Sequence, residues 1–179
     1  LTVDRSLIQA PRILLTSFAT WQAHQRRNSS DELLAELAQL PEAATLNFFR
    51  QLPVNLPVAR ELTIAKINQI QPDWLVCCGM AASRTQLTVE AQAIVGEQVL
   101  KPDLDLERLT SGLPFTVVSQ DAGRFVCNSL YHAMLNYLNG NSARCKVLFI
   151  HVPILTPMNR EQMLQDFRQV IERLQSQRF

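Results

Sequence analysis

Val147-Leu148-Phe149-Ile150-His151-Val152-Pro153 decides how this chain folds. A continuous apolar run of this length between polar flanks reads as a buried strand. His151 stands at its end, where α/β sheets present functional groups. Downstream, Met163, Leu164, Phe167, Val170, Ile171 and Leu174 recur with the 3.6 period of a helix, and Thr156 with Pro157 offers its cap and first turn. Upstream, Leu130, Met134, Leu135 and Leu138 mark the core face of another helix, with Asn139-Gly140-Asn141 as its stop and Gly140 free to take positive φ.

Strands and helices alternate back to the N-terminus. Arg12 to Phe18 is the first buried strand, and Ala19 to Ser30 is a polar loop. Ser30 with Asp31 and Glu32 starts a helix whose apolar face is Leu33, Leu34, Leu37 and Leu40, ended by Pro41. Asn47 to Val54 is a strand. Pro57 opens a helix that buries Leu62, Ala65, Ile67 and Ile70 and stops at Pro72. Asp73 to Gly79 is a second central strand, Gln86 to Val95 another, and Phe115 to Ser119 a short one. Val99 to Leu113 is charged with scattered leucines and carries no assignment. The order implies a three-layer α/β/α sandwich around a mostly parallel twisted sheet, spanning residues 1–179 as one domain with an N-terminal extension at 1–11.

Asp121-Ala122-Gly123-Arg124-Phe125-Val126-Cys127-Asn128 places a cysteine after a tight turn, at the start of a helix. Unpaired N–H groups and the positive end of the helix dipole favour a thiolate, so the pKa of Cys127 is expected to fall. A thiol, an imidazole and a carboxylate suffice for acyl transfer, and His151 and Glu90 supply the other two. On residue type alone plainer readings stand beside these. Cys127 suits a buried helix start, His151 a hydrogen-bonded core histidine, and Glu90 a solvated strand position. His132, five residues along the Cys127 helix and off its face, and His24, in the first loop, have weaker cases.

The blocks Ile13 to Phe18, Pro72 to Gly79, Arg84 to Glu90, Asp-Ala-Gly…Val-Cys-Asn and Ile150-His151-Val152-Pro153 occur in one order. In that order and separation the chain resembles the type I pyroglutamyl peptidases, which are cysteine peptidases also called pyrrolidone-carboxylate peptidases. The resemblance implies Cys127 as nucleophile, His151 as general base and acid, and Glu90 as the group orienting the histidine. It implies an activity, hydrolysis of the amide after an N-terminal pyroglutamyl residue through an acyl-thioester. It further implies an apolar substrate slot from Phe18, Trp21, Phe125 and Val126, with Arg84 organising the site. Without the family, Phe18 and Phe125 read as core aromatics and Trp21 as a loop residue.

The chain departs from the family at its specificity positions. Met80 stands where the family has a glutamine that contacts the lactam, and a thioether cannot replace an amide's donors and acceptor. Ser17-Phe18-Ala19-Thr20-Trp21-Gln22-Ala23 lacks the family's loop glycines. The Glu90–Cys127 segment is short and is expected to lack a helix before Phe115. Two alternatives follow: a related thiol hydrolase of another small acyl-amide, and a binding homologue without turnover.

Bulk properties narrow the partners. With a net charge of +1, neither nucleic acid nor an anionic membrane is expected, and no apolar stretch in the 179 residues is long enough to span a bilayer. Residues 1–10 lack the apolar core of a signal peptide, and the start at Leu1 instead of a methionine leaves room for residues upstream. Cys77, Cys78, Cys127 and Cys145 form neither a Cys-x-x-Cys pair nor a disulfide framework. They read as free thiols in a reducing, cytoplasmic setting, three of them in the core. No metal or cofactor is implied. The expected partner is a small peptide substrate, and the family adds a homo-oligomer.

Overall fold

The computed structural model describes residues 10–23, 25–140 and 144–176. The expectations for the N-terminal extension at 1–9, for His24 and for Asn141 lie outside them.

The elements in chain order are β1 (Ile13–Phe18), α1 (Ser29–Leu37), β2 (Leu46–Leu52), α2 (Leu56–Ile70), β3 (Trp74–Met80), β4 (Leu87–Glu90), β5 (Ala93–Val95), β6 (Gln98–Leu100), α3 (Leu106–Thr110), β7 (Thr116–Ser119), α4 (Val126–Gly140), β8 (Lys146–Val152) and α5 (Arg160–Ser176). Six strands form one sheet in the order β2-β1-β3-β8-β4-β7. Every neighbouring pair is parallel except β4 with β8. The apolar run at 147–152 is thus an interior strand, which is why it has no polar face except at His151.

Alternation along the strands divides the core in two. Ile13, Leu15, Trp74, Val76, Cys78, Leu148, Ile150, Leu87 and Val89 pack with Leu33, Leu34, Phe167, Val170 and Leu174 on the side of α1, α3 and α5. Leu14, Phe18, Leu75, Cys77, Val147 and Phe149 pack with Ala59, Ile67, Leu130, Tyr131 and Met134 on the side of α2 and α4. Adjacent Cys77 and Cys78 therefore enter opposite cores, as the strand period requires. All four cysteines are free, and burial pushes the Cys77 and Cys145 thiols up to about 12.

Several local expectations are corrected. Asn28, not Ser30, caps α1: its Oδ1 accepts from the Ser30 N–H at 3.0 Å and the Ser30 hydroxyl at 2.7 Å. That helix ends at Leu37, and Pro41 opens a 3₁₀ turn instead of stopping it. On α2 the buried residues are Ala59, Thr63 and Ile67, while Leu62 is 40% exposed and Ala65 is also exposed. Thr63 is accommodated there because its hydroxyl bonds the Ala59 carbonyl at 2.7 Å. The stretch 86–95 is two strands, since β4 joins the main sheet and β5 leaves it to pair antiparallel with β6. A short helix, α3, does precede Phe115. Gly140 ends α4 without positive φ. Thr156 and Pro157 belong to a turn that precedes α5, which begins at Arg160.

Candidate active site

The strand alternation that builds the two cores also aims the polar side chains. In β8, Val147 and Phe149 face α4, so His151 does too. In β4, Leu87 and Val89 face α5, so Thr88 and Glu90 point the other way. Thr88 pairs directly with His151 across the antiparallel β4–β8 ladder, which brings the side chain two residues further, Glu90, over the imidazole. His151 Nδ1 lies 2.8 Å from Glu90 Oε1, with Glu90 fully buried and His151 nearly so. An ionised carboxylate only accepts, so Nδ1 carries the proton and Nε2 is left as the basic nitrogen. The Thr88 hydroxyl donates to the same Oε1 at 3.0 Å, and the Tyr131 hydroxyl donates to the Glu90 carbonyl at 3.0 Å. Glu90 Oε2 is buried without a partner among the described residues.

Cys127 reaches this pair from the first turn of α4. Ser119, at the end of β7, ties down the approach: its hydroxyl donates to the Asp121 carbonyl at 3.2 Å and accepts from the Asp121 N–H at 3.2 Å. Asp121 Oδ1 accepts from the Gly123 N–H at 2.9 Å, and Gly123 takes a φ of +78, a conformation that favours glycine. The turn delivers the chain into α4, whose ladder begins with Ser129 N–H to the Phe125 carbonyl at 3.2 Å. Asn128 locks the helix start to β5, its amide accepting from the Ile94 N–H at 2.9 Å and donating to the Ile94 carbonyl at 2.7 Å.

Gly79 shows how closely thiol and imidazole lie. It is the lateral partner of His151 in the β3–β8 ladder, about 4.8 Å away by strand spacing, and paired residues project to the same face. A Cβ on Gly79 would stand 2.6 Å from Cys127 Sγ and 2.9 Å from the Phe149 ring. The sulphur therefore fills the place of the missing side chain beside His151. Phe149 also packs against the imidazole with ring centroids 4.9 Å apart.

This environment overturns the expected fall in the Cys127 pKa. Burial pushes the thiol up to about 12, helped by the nearby Cys77 and Glu90 and opposed by the Cys127 backbone N–H. The helix start contributes as expected, but desolvation outweighs it. The sulphur is held as a thiol unless a base takes its proton.

A cleft of about 380 Å³ opens onto Cys127, lined by Phe18, Trp21, Gln22, Asn28, Val54, Met80, Phe125 and Val126. The volume suits a small ligand. Phe18 is buried and doubles as core, Trp21 is 49% exposed, and Phe125 is 84% exposed at the rim, which removes its reading as a core aromatic. Met80 turns its sulphur toward the Gln25 amide at 3.8 Å and the Ser29 N–H at 3.4 Å. Arg84 does not line the cleft. Its guanidinium donates to the Asp121 carbonyl at 2.7 Å and the Ser119 hydroxyl at 3.4 Å, which makes it a clamp on the turn before Cys127.

Of the residues singled out in the sequence, the structure brings together Cys127, His151, Glu90, Phe18, Trp21, Met80, Phe125 and Val126, and sets Arg84 behind them. The sequence reading stops there. It missed Thr88, which period-2 spacing from Glu90 could have found, and Tyr131, one helical turn beyond Cys127. It also missed the steric role of Gly79, for which it held no signal. His132 is buried on α4, five residues beyond Cys127. Among the described residues no group of three His, Cys, Asp or Glu could hold a metal ion, and no helix is long and apolar enough to cross a membrane.

Comparison with known proteins bears on the fold and the family. The family model described as pyroglutamyl peptidase matches residues 104–168. Pyrrolidone-carboxylate peptidase 1 of Caldanaerobacter subterraneus subsp. tengcongensis is 30% identical over 171 residues, covering 80% of this chain and 83% of that protein. The pyrrolidone-carboxylate peptidase of Thermoanaerobacter sp. (strain X514) is 29% identical with the same coverage of 80% and 83%. Pyroglutamyl peptidase I of Bacillus amyloliquefaciens superposes with a TM-score of 0.79 at 20% identity, covering 90% of this chain and 93% of its own. Pyrrolidone carboxyl peptidase of Thermococcus litoralis superposes with a TM-score of 0.78 at 17% identity, covering 93% and 94%. At those identities the superpositions establish a shared fold, while the 30% relative, matched over most of both chains, establishes descent: the chain belongs to the pyroglutamyl peptidase family of cysteine peptidases.

Proposed function

We propose that this protein is a thiol omega-peptidase that hydrolyses the amide bond after an N-terminal pyroglutamyl residue. The observation that carries the reading is the buried Glu90–His151 pair, 2.8 Å long, set beside a sulphur that occupies the empty side-chain position of Gly79.

Each residue then has a task. His151 Nε2 takes the Cys127 proton as the sulphur attacks the acyl carbon, forming the S–C bond and placing negative charge on the carbonyl oxygen. The N–H groups of Val126, Cys127 and Asn128 precede the first bond of the α4 ladder, and donation from this turn to that oxygen would stabilise it by ~3 kcal/mol per donor. The imidazolium, held by Glu90, returns the proton to the departing amine as the C–N bond breaks. Water, deprotonated by His151, then releases the acid from the thioester and restores the thiol. Thr88 and Tyr131 are positioning residues that fix Glu90. The free, buried cysteines suit a reducing, cytoplasmic setting.

The test is hydrolysis, under reducing conditions, of a pyroglutamyl-linked chromogenic amide beside a prolyl-linked control. Cleavage of the pyroglutamyl substrate alone, lost by at least about 10⁴-fold in Cys127→Ala with the fold retained, is the expected result. Cleavage undiminished in that variant contradicts the mechanism. Absence of cleavage with Cys127 still readily alkylated transfers the chemistry to another small acyl-amide, a reading that the Met80 thioether in the cleft favours.

A further inference from the structure

The cleft beside Cys127 poses a chemical problem for a lactam. A pyroglutamyl ring carries one N–H and one C=O, and both lose water when the ring enters an apolar slot. Six of the nine lining residues, Phe18, Trp21, Val54, Met80, Phe125 and Val126, offer aromatic, aliphatic or thioether surface. Cys127 is the nucleophile under the proposed function. Only Gln22 and Asn28 bring side-chain amides.

Asn28 is already committed at both ends. Its Oδ1 accepts from the Ser30 N–H and hydroxyl, and its Nδ2 donates to the Ala19 carbonyl at 3.2 Å. These bonds start α1 and tie it to the first loop, so Asn28 cannot turn to a ligand without uncapping a helix. Met80 offers only a weak acceptor, and the Gln25 amide and the Ser29 N–H face its sulphur. Gln22 differs from both. It is exposed in the loop after β1, and no hydrogen bond to another described residue engages its side-chain amide. An amide carries an acceptor and two donors, the complement of a lactam's N–H and C=O.

We infer that Gln22 is the specificity residue of this cleft, pairing its side-chain amide with the lactam of the acyl group. The assignment rests on the proposed pyroglutamyl activity and adds to it the group that distinguishes a lactam from a plain five-membered ring. Gln22 is a binding residue and takes no part in proton transfer, so its loss acts on recognition and leaves the thiol–imidazole pair untouched.

The experiment compares wild type, Gln22→Leu and Gln22→Asn. Two readouts are taken: KM and kcat/KM on the pyroglutamyl amide, and protection of Cys127 from iodoacetamide by 2-pyrrolidone, the bare lactam. The expected result for Gln22→Leu is a fall of roughly 5- to 100-fold in kcat/KM, the range for leaving a buried hydrogen-bonding group unpaired. Protection by 2-pyrrolidone weakens by a similar factor, and the alkylation rate without 2-pyrrolidone is unchanged. Gln22→Asn, which keeps the amide on a shorter arm, falls between the two. A wild type that cleaves the substrate while Gln22→Leu stays within twofold of it in both readouts overturns the assignment and leaves the activity standing. A wild type that does not cleave the substrate overturns the activity, and this assignment with it.

Discussion

Two buried carboxylates lie on opposite faces of the same sheet, and they are treated differently. Asp166, on α5, is 2% exposed, and its Oδ2 accepts from the Phe115 N–H at 2.7 Å and the Thr116 hydroxyl at 2.9 Å. It fastens the start of β7 to the helix layer. Glu90, on β4, is fully buried, yet one of its oxygens serves a histidine and a threonine while the other has no partner among the described residues. His132 Nε2, another buried side-chain atom without a partner among those residues, lies on the Glu90 side too. An unsatisfied buried polar atom costs roughly 1–3 kcal/mol. The α5 face ties its carboxylate into the backbone, while the α4 face leaves a buried carboxylate oxygen open beside a histidine.

Substitutions can break that contrast or sharpen it. The largest effect is expected at Glu90→Gln, which keeps the volume and removes the charge that holds the imidazole in its reactive tautomer. A loss in kcat of about 10³- to 10⁴-fold is expected, as when a buried carboxylate behind a catalytic histidine is neutralised in this way. Chemical denaturation should meanwhile show stability unchanged or improved. Gly79→Ala follows. Its new Cβ would meet Cys127 Sγ at 2.6 Å and the Phe149 ring at 2.9 Å, so the nucleophile must move. Displacement on the order of 1 Å costs about 10²-fold in rate, with ~1–3 kcal/mol of stability lost to overpacking. Asp166→Ala reverses the pattern: a loss of ~2–3 kcal/mol in unfolding free energy, from two bonds to a charged acceptor, with kcat of the folded enzyme within twofold of wild type. Equal catalytic loss at Asp166 and Glu90 would erase the distinction between the faces.

The parts of this design that follow a period could be read from sequence. The interior strand at 147–152, the helix at 160–176 and the sheet-end position of His151 rest on patterns that burial enforces. Elements with mixed faces could not be read in the same way. The α2 helix buries Thr63 in place of Leu62 because a threonine hydroxyl can bond its own helix backbone, and an apolar count ignores that option. The strand at 86–95 was misjudged because its break follows from β5 pairing with β6 and bonding Asn128, contacts distant in sequence. The Cys127 environment escaped for a related reason. A helix start is visible in a sequence, but the surroundings that raise the thiol pKa come from Gly79, Cys77 and Glu90 on other strands.

That enclosure makes the sulphur dependent on its neighbour, which is the centre of the account. The rate of Cys127 alkylation by iodoacetamide, followed from pH 5 to pH 10 in wild type and in His151→Ala, tests it directly. Thiolate is the reactive form, so the rate rises with pH through the effective thiol pKa. The account predicts ready labelling of wild type near neutrality, where the imidazole takes the proton, and neutral-pH labelling slower by at least ~100-fold in His151→Ala, where burial keeps the sulphur as a thiol. Superimposable pH profiles for the two proteins would contradict it.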